Sequence, residues 1–274
     1  MKASPIAPSR VGAAFARARD ERRTALIPFL TSGYPTLRQS EELILATIRG
    51  GADIVEIGVP FSDPLADGAT VQRTSQVALA NGVRLADCLK LVFRLRAAGV
   101  TTPLVFMGYY NPILQYGIET FASDAAAAGL DGAIVPDLPA EESDDLLAAF
   151  RRHGRDLIFI LAPTSTEARI EDVAERATGF VYCVSLTGVT GGRRVLPDLS
   201  TYLHRVRSRI NLPIAIGFGI STPEHVRQVG DVAEGAVIGS ALIDAIDESP
   251  PDEQPATAEA FLRHLATGAD RPQA

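Results

Sequence analysis

Residues 53–72 read DIVEIGVPFSDPLADGATVQ, and their order decides the fold. The stretch opens on a short apolar run, Ile54-Val55-Glu56-Ile57, with strand character. A polar loop rich in Pro, Gly and Asp follows, and a helical pattern starts near Ala69. Strand, loop, helix is the repeating unit of a parallel sheet covered on both faces. Glu56 is the anomaly in the run, because desolvation penalises an ionised carboxylate on a buried strand. It therefore has an ion partner, a raised pKa or a place at the rim of a cavity. Asp67 lies at the end of the same loop. An acid near the strand's carboxyl end and another in the loop after it can face one mouth. Two carboxylates in different environments take different protonation states, as acid–base chemistry near neutral pH requires. On strand context alone, a structural ion pair for Glu56 stays open.

The same unit recurs on both sides. Upstream, residues 9–19 read as a helix and 25–30 as a buried strand, closed by Thr31-Ser32-Gly33-Tyr34-Pro35. Thr36 is placed to cap a helix running to Ile48, which Gly50-Gly51 ends. Downstream, strands are expected at 103–107, 132–135, 157–161, 180–184, 213–216 and 236–238. Helices are expected near 70–80, 84–98, 119–128, 141–152, 167–177, 199–208 and 223–229, with another opening at Gly239-Ser240. Residues 108–112 and 185–198 read as loops, and a terminal helix covers 257–266. Eight short apolar strands alternating with helices fit an α/β fold, a closed (β/α)8 barrel. Extra helices are expected at the N-terminus, after the second strand and at the C-terminus. Residues 1–274 are read as one domain, with 1–8 and 268–274 as frayed tails. The rival is an open doubly wound sheet. It calls for a Gly-rich turn straight after the first strand, and LTSGYPT matches that poorly.

Composition narrows the function. The 274 residues are 46% hydrophobic and 22% charged, as in an ordinary globular enzyme. A net charge of −7 argues against nucleic acid as a partner. No apolar run is long enough for a membrane span, and the N-terminus lacks the apolar core of a signal peptide, so a cytoplasmic location is expected. Cys88 and Cys183 show no metal or disulfide spacing and read as buried reduced thiols.

In a barrel of this kind the chemistry sits at the carboxyl ends of the strands. Glycines cluster there late in the chain, at 188–192, 217–219 and 239. Such glycines either make tight turns or let backbone N–H groups approach a phosphate; their barrel order favours phosphate. The only lysines are Lys2 and Lys90, neither on a strand, which excludes a Schiff-base mechanism. The histidines, His153, His204, His225 and His264, fall in predicted helices or at their ends, away from the mouth. That argues against a zinc site or a histidine base, and no metal is expected. Arg73, Arg193 and Arg194 read as surface charge more than as anion ligands. Glu56, Asp67, Asp137, tyrosines and glycines remain at the mouth. They point to a phosphate-bearing substrate and carboxylate acid–base catalysis.

At this point the sequence resembles a known family. The motifs are IPFLTSGYP at 27–35, VEIGVPFSDPLADG at 55–68, YNPI at 110–113, PDLPAEE at 136–142, VYCVSLTGVTG at 181–191, IGFGIST at 216–222 and VIGSALI at 237–243. Over nearly its whole length the chain is similar to the alpha subunit of tryptophan synthase. The resemblance implies a (β/α)8 lyase. Its reaction is the retro-aldol cleavage of indole-3-glycerol phosphate to indole and glyceraldehyde 3-phosphate, in tryptophan biosynthesis. It implies Glu56 as the acid that protonates indole C3, Asp67 as acceptor of the indole N–H proton, Tyr182 beside them and Thr190 as a lid residue that engages Asp67. Gly191, Gly219, Gly239 and Ser240 match the phosphate cradle; Phe29, Tyr109, Ile134 and Phe218 match the lining of the indole pocket. No cofactor is implied in this chain. Pyridoxal phosphate is expected in a beta-subunit partner of an alpha–beta–beta–alpha complex, facing the loops at 60–67 and 109–112. The lid, 187–195, departs from the family pattern at Gly192-Arg193-Arg194 and is expected to become ordered when ligand fills both sites. A stand-alone lyase releasing free indole, and a non-catalytic barrel that activates a partner, are the alternatives.

Overall fold

The computed structural model describes residues 9–184, 199–217 and 219–271. Eight parallel strands close into a barrel in chain order. They are β1 (Ala25–Thr31), β2 (Val55–Gly58), β3 (Leu104–Met107), β4 (Gly132–Ile134), β5 (Asp156–Leu161), β6 (Val181–Val184), β7 (Ile214–Gly217) and β8 (Gly235–Ile238). Helix α1 (Arg10–Asp20) precedes β1, and α2 (Leu37–Arg49) follows it. Two helices, α3 (Ala69–Ala80) and α4 (Leu85–Ala97), follow β2, as the sequence implied. Two more, α5 (Tyr110–Tyr116) and α6 (Ile118–Ala128), follow β3. After a 3-10 turn at Ala140–Glu142 come α7 (Asp144–Arg152), α8 (Glu167–Arg176), α9 (Ser200–Arg207), α10 (Pro223–Gly230), α11 (Ser240–Asp247) and α12 (Gln254–Ala266).

Helix α5 corrects the sequence reading, which made its start a loop. Pro112 lies in the first turn, where no backbone donor is needed. Asp137, from the loop after β4, accepts a 2.9 Å hydrogen bond from Tyr110 N and so caps the helix. The expected fraying from 268 onward is also corrected for 268–271: Ala269 is buried, and Asp270 bridges to Arg23 beside β1.

Strand alternation divides the apolar residues into two cores. Ile27, Ile54, Val105, Ile134, Ile158, Phe180, Tyr182, Ala215 and Val237 point inward. Val11, Ala14, Phe15 and Ala18 of α1 close the bottom of that inner core, with Phe15 and Phe180 ring centroids 5.4 Å apart. The alternate residues, such as Leu26, Val55, Ile57, Leu104, Phe106 and Ile214, join the helices in the outer core. Period-two alternation puts Glu56 on the same inward face as Ile54, one layer nearer the mouth.

The bottom of the barrel is held by side chains that precede the even strands. Asp53 accepts from Leu26 N at 2.9 Å, Asp131 from Leu104 N at 2.8 Å, Thr178 from Leu157 N at 2.9 Å and Glu234 from Ile214 N at 2.8 Å. Each bond clasps an odd strand to the next even one. Arg23 grips Asp53 through two nitrogens, at 2.5 and 2.8 Å; Arg96 and Arg207 pair with Asp131 and Glu234.

Candidate active site

Glu56 is the centre of the mouth. It lies on β2 between Phe29 of β1 and Val105 of β3, its register partners, and is 1% exposed. Among the described residues neither carboxylate oxygen has a hydrogen-bond partner. The structural ion pair is therefore not what the strand holds. Burial, and then the nearby Asp67 charge, push its pKa up from 4.5 to about 8. An acid in this state is protonated at neutral pH and has its proton free to give.

Asp67 stands at the end of the loop after β2, half-buried. Burial raises it from 3.8 to about 6, and the Tyr109 hydroxyl, in hydrogen-bonding reach, pulls it partly back. The two acids thus separate: near neutrality Asp67 is ionised and Glu56 is not. The same Tyr109 hydroxyl accepts from Ala66 N at 2.9 Å, and its ring stacks on Phe61, centroids 5.0 Å apart. From α3, Gln72 Nε2 donates to the Asp67 carbonyl at 2.9 Å. Both contacts hold the loop that carries the acid.

Tyr182 of β6 is buried nearby; burial first, and then the Glu56 and Asp67 charges, raise its pKa. Its ring crosses Gly217, where an added Cβ would lie 2.0 Å from the hydroxyl. Phe29 crosses Gly58 in the same way, at 2.5 Å. Glycine at 58 and 217 is therefore what lets the two rings flank Glu56. Ile134 and Tyr109 also border a narrow apolar gap, too small for a ligand, that Val59, Phe106, Pro112 and Ile113 line between the strands and the helices outside them.

The opposite side of the mouth suits an anion. Gly239 is the cap residue before α11, no side chain among the described residues caps the helix, and a Cβ at Gly239 would meet nothing within 4 Å. Open space above an uncapped helix start offers N–H groups and the positive end of the helix dipole. Ser240 is the first residue of α11. Gly219, after β7, has φ +82, a backbone that favours glycine.

The structure thus brings Glu56, Asp67, Tyr182, Tyr109, Phe29 and Ile134 to one end of the barrel, with Gly219, Gly239 and Ser240 at the ends of β7 and β8. Thr190, Gly191 and Phe218, with the rest of 187–195, lie outside the described residues. Asp137, in the exposed loop after β4, spends its carboxylate on capping α5 through Tyr110 N. His225 lies closer to the mouth than its helix suggested: its Nδ1 accepts from Ser221 N at 3.3 Å, in the loop that carries Gly219. The resemblance implies only an indole-lining place for Tyr109; its hold on Asp67 and the part of Gln72 emerge only from the fold. Among the described residues no cluster of His, Cys, Asp and Glu could hold a metal ion, and no helix is long and apolar enough to cross a membrane.

Comparison with known proteins agrees with this geometry. Residues 15–269 match the family model described as "Tryptophan synthase alpha chain". A tryptophan synthase alpha chain from Roseiflexus sp. is 54% identical over 258 residues, covering 94% of this chain and 99% of that protein. One from Chloroflexus aurantiacus is 49% identical over 265 residues, covering 96% and 100%. Among solved structures, tryptophan synthase subunit alpha from Legionella pneumophila superposes with a TM-score of 0.88 at 35% identity, covering 96% of this chain and 98% of that one. A chain of Mycobacterium tuberculosis tryptophan synthase gives 0.88 at 38%, covering 97% and 100%.

Proposed function

The chain belongs to the tryptophan synthase alpha chain family, and from that premise we propose how its residues divide the work. The reaction is the lyase step of the family: indole-3-glycerol phosphate is cleaved to indole and glyceraldehyde 3-phosphate. An aromatic ring leaves poorly as a carbanion. Protonated at C3, it becomes an electron-deficient indolenine, and the adjacent C–C bond can break. Glu56, protonated at neutral pH, gives its proton to C3 while ionised Asp67 takes the proton from the ring nitrogen. Glu56, now a carboxylate, takes the proton of the adjacent glycerol hydroxyl. The C–C pair returns to the ring, the hydroxyl carbon becomes the aldehyde, and Asp67 returns its proton to nitrogen. Both acids end as they began.

Glu56 carries this reading: a carboxyl buried inside the barrel, with neither oxygen bonded among the described residues, beside a second acid of lower pKa. Tyr182 packs against the pair. Tyr109, Ile134, Phe29 and Phe218 form the indole side, and Gly219, Gly239 and Ser240 with Gly191 take the phosphate. Thr190 is the lid hydroxyl that engages Asp67. These steps draw on carboxylates alone. Pyridoxal phosphate belongs to the beta partner of an alpha–beta–beta–alpha complex, and the cytoplasm is the setting. Leu65, at the tip of the β2 loop, is 93% exposed and Leu114 of α5 is 46% exposed, which supports a partner on this side. Indole release by the wild type and its loss in Glu56→Gln, on a fold unchanged by circular dichroism, is the test. A variant keeping more than about a tenth of wild-type turnover would remove Glu56 from its role.

A further inference from the structure

Helix α3 begins directly after Asp67, with Gly68 as its cap residue. Gln72 holds the carbonyl of Asp67, as described. Another side of α3 lies against α11, the helix whose start faces the phosphate position. Thr70 Oγ1 bonds to Asp244 Oδ1 at 3.2 Å, and Arg73 forms an ion pair with Asp247. Both contacts join i and i+3 on one helix to i and i+3 on the other, so the two helices meet in register. Tyr34, after β1, completes the cluster. Arg73 Nη1 donates to its hydroxyl at 2.9 Å, the hydroxyl donates to Asp247 Oδ1 at 2.5 Å, and the guanidinium lies 5.7 Å from the ring centroid. Deeper in, Thr74 and Thr31 hydroxyls meet at 2.7 Å.

A substrate with an indole at one end and a phosphate at the other spans the gap that these helices set. We propose that Arg73 and Asp247 are a positioning pair, which fixes the spacing between the Asp67 carboxylate and the phosphate-binding start of α11. The inference rests on the reading of Asp67 and α11 given above. Neither residue touches substrate. Their effect is that phosphate binding on α11 holds the ring in line with Asp67, so binding energy at the remote end goes into orientation at the reacting one. A pair of this exposure, 47% for the Arg73 side chain and 22% for Asp247, adds little to overall stability. Its loss is therefore read in catalysis rather than in melting.

The test uses the full chain with Arg73→Met, Asp247→Asn and the double variant, with wild type and Glu56→Gln as controls. Indole release is measured alongside binding of glycerol phosphate, of indole, and of a non-cleavable analogue carrying both groups on one chain. The expected result is a fall in kcat of about tenfold or more in each single variant, toward the roughly hundredfold that a misplacement of about 1 Å can cost, with no further fall in the double. Analogue binding weakens, each half-ligand binds within about twofold of wild type, and the melting temperature holds. Arg73→Lys, which keeps a charge for Asp247, recovers part of the loss. Unchanged kcat in Arg73→Met overturns the proposal. So does equal loss of both half-ligands, or a fall in melting temperature that accounts for the lost activity. A wild type that releases no indole, matched by Glu56→Gln, overturns the functional reading first and this proposal with it.

Discussion

Replacing Glu56 by glutamine should cost activity and at the same time relieve a stability debt that grows with pH. In the folded chain Glu56 keeps its proton up to about 8, against an ordinary 4.5. The unfolded chain gives that proton up near the ordinary value. Between the two the folded state binds the extra proton, so stability is fully present below 4.5 and falls as pH rises through about 8. At about 1.4 kcal/mol per pH unit the whole descent is at most about 5 kcal/mol, of which about 3 is lost by pH 7. Glutamine does not titrate, and its buried amide imposes a cost that stays constant with pH. The gap between the urea midpoints of Glu56→Gln and wild type should therefore move steadily in the variant's favour from about pH 5 to about pH 8 and level off above it. Circular dichroism follows this directly. Tyrosine emission does too, because the chain has no tryptophan. Parallel pH curves for the two proteins would refute the reasoning, since they would mean that Glu56 titrates alike folded and unfolded.

Other outcomes follow from the same geometry. The pH profile of kcat/KM should be a bell that rises through about 6 as Asp67 ionises and falls through about 8 as Glu56 loses its proton; a flat profile across that window would separate the two acids from the chemistry. Tyr109→Phe removes the hydroxyl that lowers the Asp67 pKa, so the acidic limb should shift to higher pH, measured in the same assay. Gly217→Ala drives a Cβ into the Tyr182 ring and should destabilise by about 1–3 kcal/mol, and Tyr182→Ala should relieve it, so the double variant unfolds at a higher urea concentration than additivity allows. Gly239→Ala adds a Cβ that meets nothing within 4 Å, so it should leave the melting temperature alone yet weaken glycerol phosphate binding by about tenfold or more in calorimetry.

The barrel was legible because its strands are local and apolar, and their number and order need no knowledge of what they touch. The direction of Glu56 was legible too: alternation from Ile54 sends it inward. What the sequence hid is what depends on distant partners. Arg73 read as surface charge because Asp247, which pairs with it, lies far along the chain. The capping role of Asp137 was hidden because the helix it caps begins on an earlier segment and was itself obscured by Pro112. Tyr109 sits beside Asp67 only once β2 and β3 pair. The resemblance supplied roles for Glu56 and Asp67. It took the fold to give the physical reason, a buried acid without a partner next to one that has a hydroxyl.

The four clasps at the bottom of the barrel have a consequence for how the chain can be cut. Each joins residues close in sequence, 27 apart at Asp53, 27 at Asp131, 21 at Thr178 and 20 at Glu234. The barrel is in this sense four two-strand units, each tied within its own stretch of chain, where loop closure is cheap. The bridge from Asp270 to Arg23 sets the chain after the last unit beside the chain before the first. A circular permutant opened at Gly154, in the turn between the second and third units, keeps every tie within continuous chain. One opened at Gly51 separates Leu26 from Asp53 along the chain. Both glycines lie in exposed turns, and an added Cβ would meet nothing within 4 Å at either. The permutant opened at Gly154 should refold faster and melt higher than the one opened at Gly51, because only the second turns a short tie into one that must close around the whole barrel.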